Sequence, residues 1–160
     1  SQPHAMIADV AVRLATLADA DGIAAMSRDS IEHGLPWSWR ADRVTRAIRD
    51  PDTNVVVVDG RGALGAFGIM SFSENDAHLL LLAVRQARRR NGLGSAVLLW
   101  LEAVARSAGA ARIRVECRRG NDAARNFYSE HGYHERAIRR GMYAGVVDGI
   151  LLEKWLRRDA

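Results

Sequence analysis

The sequence predicts a mixed α/β fold with helices on the faces of a sheet, and three observations carry that expectation. Segments of two-residue hydrophobic alternation interleave with segments of helical period. The runs Asn54 to Asp59, with four consecutive valines, and His78 to Val84 read as buried strands, the second covered on both faces. The order of segments, β-α-α-β-β-β-α-β-α-β-β, suits a mixed sheet.

In chain order, Ala8 to Leu14 alternates as a first strand. Thr16 with Asp19 forms a capping-box pattern ahead of a helix whose face holds Leu17, Ala20, Ile23 and Ala24. Gly34-Leu35-Pro36-Trp37 interrupts the chain, and a second helix runs to about Arg49 with Val44, Ala47 and Ile48 inward. After the valine strand, Asp59-Gly60-Arg61-Gly62 is turn chemistry. A further strand reaches about Phe72, loosened by Gly65 and Gly68. Beyond His78 to Val84, the face Leu93, Val97, Trp100, Leu101 and Val104 marks a long helix. Ile113, Val115 and Cys117 alternate with Arg114, Glu116 and Arg118, a strand with one polar face. Asn121-Asp122 opens a short helix that Gly132 closes. Two strands follow, expected to turn near Asp148-Gly149.

The chain has 160 residues, 48% of them apolar, which suits one domain over 1–160 with its own core. Residues 1–5 are set aside as a cloning remnant or disordered, and Ser1-Gln2-Pro3-His4 does not read as a signal peptide. Cys117 alone excludes an internal disulfide framework and a cysteine-based zinc cluster, and fits a cytoplasmic protein. No stretch approaches the ~18 apolar residues of a membrane-spanning helix. The net charge is +4, and every basic residue except Lys154 is Arg, a residue suited to phosphates and carboxylates. His33, His78, His131 and His134 show no metal-ligand spacing and read as structural or solvated. Asp9, Asp19, Asp50 and Asp76 read as loop or cap residues.

The most informative segment is the strand end Leu82-Ala83-Val84, then an arginine-rich loop, then Arg89-Arg90-Asn91-Gly92-Leu93-Gly94-Ser95 opening the long helix. Glycines allow close backbone approach, and the free amides and dipole of a helix start attract an anion such as a pyrophosphate. A plain turn with solvated arginines is the alternative. The Walker and dinucleotide fingerprints are both missing. Downstream stands N-x-x-A-x-x-F-Y-x-x-x-G-Y from Asn121 to Tyr133. Ala124, Phe127 and Tyr128 share a helical face there, which an aromatic core pair also explains. Glu116 points away from the apolar layer, and a surface ion pair with Arg114 and Arg118 is its alternative reading.

R-x-x-G-x-G after a strand ending Leu-Ala-Val resembles the acyl-CoA-binding motif of the GNAT acetyltransferases, and the second pattern is similar to another motif of that family. Glu116 followed by Arg118, Asn121 and Tyr128, with Pro36-Trp37, Ile138-Arg139-Arg140 and Tyr143, resembles the ribosomal-protein alanine N-acetyltransferases within it, from about residue 30 to 143. The resemblance implies a mainly antiparallel sheet of six to seven strands with helices on both faces. It implies acetyl-CoA as co-substrate, with no metal. Leu82, Ala83 and Val84 would line the pantetheine, Arg89 to Ser95 the pyrophosphate, and Asn121 would also bind cofactor. Glu116 would be the general base, Val84 N–H would polarise the acetyl carbonyl, and Tyr128 would protonate the departing sulfur. Trp37, Arg139 and Tyr143 would face the acceptor, a protein N-terminal α-amine. Gly141-Met142-Tyr143-Ala144-Gly145 departs from the family in lacking a tyrosine pair and a following proline.

Two other readings keep the cofactor: transfer to a small amine such as an amino acid, polyamine or drug, and a non-catalytic CoA-binding regulatory module. Nucleic-acid binding through Arg85, Arg88, Arg89 and Arg90 lacks an aromatic-basic repeat or a reading helix, so no nucleic-acid partner is expected. No membrane partner is expected either. Monomer and homodimer both stay open.

Overall fold

Valines 55 to 58 are buried in alternation toward both faces of a sheet, which requires cover on each side. The computed structural model, which describes residues 10–86 and 92–157, provides it. Seven strands are formed by Arg13–Leu14 (β1), Thr53–Val58 (β2), Ala66–Ser73 (β3), Asp76–Val84 (β4), Arg112–Arg118 (β5), His134–Tyr143 (β6) and Val147–Trp155 (β7). The helices are Ala20–Ser30 (α1), Ala41–Arg49 (α2), Leu93–Ser107 (α3) and Asp122–Glu130 (α4). A 3-10 turn, Leu17–Asp19, leads into α1, and Asp19 accepts from the Thr16 amide at 2.8 Å.

The strands run in the order β1-β2-β3-β4-β5-β7-β6. Only β4 and β5 pair in parallel, as expected for strands joined through a crossover helix. One core packs Ile23, Trp39 and Val44, from α1, α2 and the segment between them, on Val55, Val57, Phe67 and Ile69. The other packs Leu93, Val97, Leu98 and Leu101 of α3, with Tyr128 of α4, on Val56, Met70, Leu79, Ile113 and Leu152. Burying one such aliphatic side chain stabilises by about 1.5–3 kcal/mol.

Three expectations are corrected. Gly68 does not loosen β3: a Cβ there would stand 2.8 Å from Val97 and 2.9 Å from Leu101, so its bareness lets α3 approach. The buried stripe of α3 includes Leu98, Glu102 and Ala105, with Val104 only half-buried. Glu102 is accommodated because Tyr133 donates to it at 2.8 Å and Lys154 at 3.1 Å. The last hairpin turns at Ala144-Gly145, with φ of 55° and 73°, the primed geometry that matches strand twist. Asp148-Gly149 lies inside β7, where Asp148 accepts from the Gly141 amide at 2.9 Å.

Candidate active site

The β4–β5 junction is incomplete. Pairing runs from Asp76↔Arg112 to Leu79↔Val115 and ends, although β4 continues to Val84 and β5 to Arg118. A bulge contributes: Ile69 pairs Leu81 while Met70 pairs Leu79, so Leu80 is the extra residue in β4. Across it the alternation changes face: Ala77 and Leu79 meet the α3–α4 core, Leu81 and Ala83 the α1–α2 core. On the other edge β5 stays paired with β7 as far as Arg118↔Gly149. The two central strands therefore open as a wedge. The Arg85 amide, just past the end of β4, donates to Gly65 O, just ahead of β3, at 2.8 Å.

At the mouth of the wedge α3 begins. Gly92 is its N-cap with φ of 78°, a conformation suited to glycine. The amides of Leu93, Gly94 and Ser95 form the first turn, ahead of the Ala96 N–H bond to Gly92 O. The Leu93 side chain is core, which leaves its amide as the group that can meet a ligand. Gly94 packs tightly: a Cβ would lie 3.3 Å from Phe127 and 3.4 Å from Val84. Ser95 Oγ bonds His131 Nε2 at 2.9 Å. Arg89, Arg90 and Asn91 lie outside the described residues. A groove of about 750 Å³ between α1 and the turn after β2 reaches Arg85 and Gln86, opening at this same end of β4.

Tyr128 and Glu116 lie on opposite faces of the sheet, on either side of the wedge. Tyr128 packs in the α3–α4 core, its ring 5.3 Å from Phe127 and 5.6 Å from Tyr133. Burial foremost, with Cys117 and Tyr143 nearby, pushes its phenol well above the ordinary value. Burial also raises the Cys117 thiol to about 11, so it stays protonated. Asn121 caps α4 by accepting from the Ala124 amide at 3.1 Å, which leaves its amide nitrogen for a ligand.

Glu116 shares the opposite face with His78, Arg114 and Arg118. His78 Nε2 lies 2.6 Å from Glu116 Oε1. That bond, working against burial and assisted by Arg114 and Arg139, holds the carboxyl below the usual carboxylate range. The surface ion pair is absent among the described residues. Arg114 instead lies 4.0 Å from Asp76, and Arg118 donates to the carbonyls of Ile31 and His33 at 2.7 and 2.6 Å.

Arg118 thereby ties β5 to the α1–α2 loop, whose interior is organised by Glu32. That buried carboxylate accepts from Ser27, from the Ser38 amide and hydroxyl and from the Trp39 amide. Glu32 lies in no motif, and the Glu-x-Arg pattern that includes Arg118 does not mark it for this reach. Trp37 sits in the loop with Arg40 at 4.6 Å and Arg28 at 5.3 Å from its ring, its indole nitrogen buried without a partner among the described residues. Arg139 is exposed and aligns through Gly149 with Arg118. Tyr143 is half-buried, with the Arg118 guanidinium 6.0 Å from its ring, and burial, Cys117 and Glu116 raise its phenol to about 12. Thus Glu116, His78, Arg118, Arg139 and Tyr143 converge, while Trp37 stands in the adjoining loop.

Among the described residues no group of three or more His, Cys, Asp or Glu is placed to hold a metal, and no helix is long and apolar enough to cross a membrane.

A backbone wedge leading to a glycine-capped helix start suits a long ligand with an extended arm and a diphosphate. A profile of the Acetyltransferase (GNAT) family matches residues 23–133, and the chain belongs to that family. It is an acetyl-CoA-dependent N-acetyltransferase. More particularly, it is 29% identical over 142 residues to the ribosomal protein bS18-alanine N-acetyltransferase of Escherichia coli K12, covering 87% of this chain and 94% of that one. The crystal structure of the Escherichia coli ribosomal-protein-S18-alanine N-acetyltransferase superposes with a TM-score of 0.79 at 24% identity, over 94% of this chain and 96% of the other. The PaiA N-acetyltransferase of Thermoplasma acidophilum, solved in complex with coenzyme A, gives 0.76 at 17% identity, over 92% and 99%.

Proposed function

We propose that the acceptor is a protein N-terminal α-amine, acetylated by direct attack in a ternary complex. The observation that carries this reading is the placement of Glu116 and Tyr128 on the two sides of the β4–β5 wedge. Bound there, acetyl-CoA supplies an activated thioester. Leu82, Ala83 and Val84 line its arm, and the amides from Gly92 to Ser95 meet its diphosphate; the family resemblance adds Arg89, Arg90, Asn91 and Asn121 to the cofactor-binding set. The Val84 amide polarises the acetyl carbonyl. Glu116 supplies the base, and Tyr128, kept protonated by burial, donates to the leaving sulfur. Trp37, Arg139 and Tyr143 flank the acceptor.

An α-amine of pKa ~8 is about one-tenth neutral at pH 7, whereas a lysine side chain near ~10.4 is neutral well below one part in a thousand. A depressed carboxylate is a modest base, so the α-amine is the better match. Likeness to an enzyme named for alanine acetylation of a ribosomal protein supports an N-terminal acceptor. The test compares peptides with free and blocked N-termini, an alanine-initiated ribosomal peptide among them, with a panel of small amines, products being read by mass spectrometry. Acetylation confined to free N-termini is expected; acetylation of small amines alone overturns the assignment.

A further inference from the structure

His78 is the described side chain in closest polar contact with Glu116, and neither the motifs nor the roles above account for it. A carboxylate oxygen and a bare ring nitrogen repel, so a separation of 2.6 Å requires a proton between them. Glu116 is held ionised, so that proton belongs to Nε2, and the basic lone pair of the ring is then on Nδ1. No described residue hydrogen-bonds Nδ1.

The location is specific. His78 is the penultimate residue of β4 still paired with β5, opposite Arg114, just where the wedge begins. Its side chain is 27% exposed and that of Glu116 only 14%, so the imidazole is the more accessible of the two.

We infer that the general base is the pair, with His78 Nδ1 receiving the acceptor's proton and Glu116 holding the ring in the required tautomer. This rests on the transferase reading above and names the atom that does its acid–base work. The ammonium N–H bond breaks, an Nδ1–H bond forms, and Nε2–H stays on Glu116, whose negative charge offsets the imidazolium. The proton then passes to solvent. The amine's second proton, lost as the amide forms, balances the one Tyr128 gives to sulfur.

Proton affinity favours this division of labour. A carboxylate held below its usual range is a weak acceptor for an ammonium proton, whereas an imidazole nitrogen is intrinsically the more basic group. The other ionisable groups around the pair are Arg114 and Arg118 on β5, Arg139 and Tyr143 on β6, and Glu32 and His33 in the α1–α2 loop. A guanidinium offers no acceptor lone pair, burial keeps Tyr143 protonated, and the Glu32 carboxylate is occupied by Ser27, Ser38 and Trp39.

The decisive variant is His78→Gln, which keeps an N–H donor for Glu116 and removes the base. Its kcat is expected to fall about 10²–10³-fold with unchanged affinity for acetyl-CoA, the acid-side ionisation of the kcat profile disappearing. His78→Ala should regain part of its rate in added imidazole. Turnover of His78→Gln within threefold of wild type, with the same pH profile, overturns the inference. A readout independent of activity is ring ¹⁵N NMR of the protein without acetyl-CoA: an Nε2–H tautomer is expected, and an Nδ1–H tautomer with bare Nε2 overturns it. Wild-type protein that binds acetyl-CoA and acetylates no amine overturns the transferase reading and this inference together, whereas a normal wild type beside an unimpaired His78→Gln overturns the inference alone.

Discussion

His131 bridges two helices: its Nδ1 lies 2.8 Å from the Phe127 carbonyl and its Nε2 2.9 Å from Ser95 Oγ. A carbonyl only accepts, so Nδ1 donates to Phe127 O, and Nε2 is left to meet the Ser95 hydroxyl. One imidazole thus joins the first turn of α3, where the diphosphate is proposed to sit, to the end of the helix that carries Tyr128.

Ser95→Ala removes this link and keeps the Ser95 amide. The loss of one hydrogen bond is worth about 1 kcal/mol, or ~2–4 °C in melting temperature for a domain of this size. Calorimetric titration should show the dissociation constant for acetyl-CoA rising less than tenfold. A drop of several hundredfold would mean that the hydroxyl itself is a principal ligand.

Tyr128→Phe tests the acid. Burial holds the phenol protonated at every working pH, so the variant should lose about 10²-fold in kcat across the whole range. Affinity for acetyl-CoA should be unchanged, because the ring still packs on Phe127 and Tyr133. Thiol release measured at saturating substrates checks this, and near-normal turnover would remove Tyr128 from the chemistry.

Glu32 should report on the α1–α2 loop, proposed above to flank the acceptor. Burial raises its pKa, but bonds from Ser38, Ser27 and Trp39 outweigh it, and the carboxyl ends below its ordinary value. A depressed folded-state pKa means that the stabilisation is complete above the unfolded value, near 4.5, and fades as pH falls through the folded one. Glu32→Gln should cost about 1–3 kcal/mol at pH 7 and flatten the stability profile below pH ~4.5. It should also raise KM for the acceptor peptide more than it lowers kcat, which steady-state kinetics will show.

Lys154 is paired with a carboxylate that has no access to water. Lys154→Met leaves Glu102 with the Tyr133 hydroxyl and the more distant Arg106, at 3.9 Å, and should destabilise by about 3–5 kcal/mol. The double variant Glu102→Gln with Lys154→Met should recover part of that loss, because no buried charge is left uncompensated. Urea unfolding of both separates the outcomes, and equal losses would refute the pairing argument.

Most strands were readable because a two-residue period leaves a strand no choice of face, although of the expected Ala8 to Leu14 only Arg13–Leu14 is a strand among the described residues. Ile113, Val115 and Cys117 inward put Glu116 outward, and both follow in the fold. Likewise, glycine at 92 ahead of an apolar helical face marked the start of α3. The partnership of His78 with Glu116 was not readable, because it depends on the register of two parallel strands separated in sequence by a loop and a helix. Nor was the reach of Arg118 to Ile31 and His33, since backbone carbonyls carry no sequence signature. The final hairpin misleads for a local reason: Asp-Gly is the stronger turn signal, yet Asp148 is engaged by the Gly141 amide from within β7, and Ala144 takes the positive φ instead.

Because the backbone ladder between β4 and β5 is four residue pairs long, the sheet consists of two antiparallel leaves, β1–β4 and β5–β7, stitched along a short seam. A co-substrate lodged in that fork, as proposed above, would touch both leaves, so its affinity would double as cohesion of the whole protein. At a concentration one hundred times its dissociation constant it would contribute about 2.7 kcal/mol to folding. A cell short of acetyl donor would therefore hold this enzyme not simply idle but in its most fragile form.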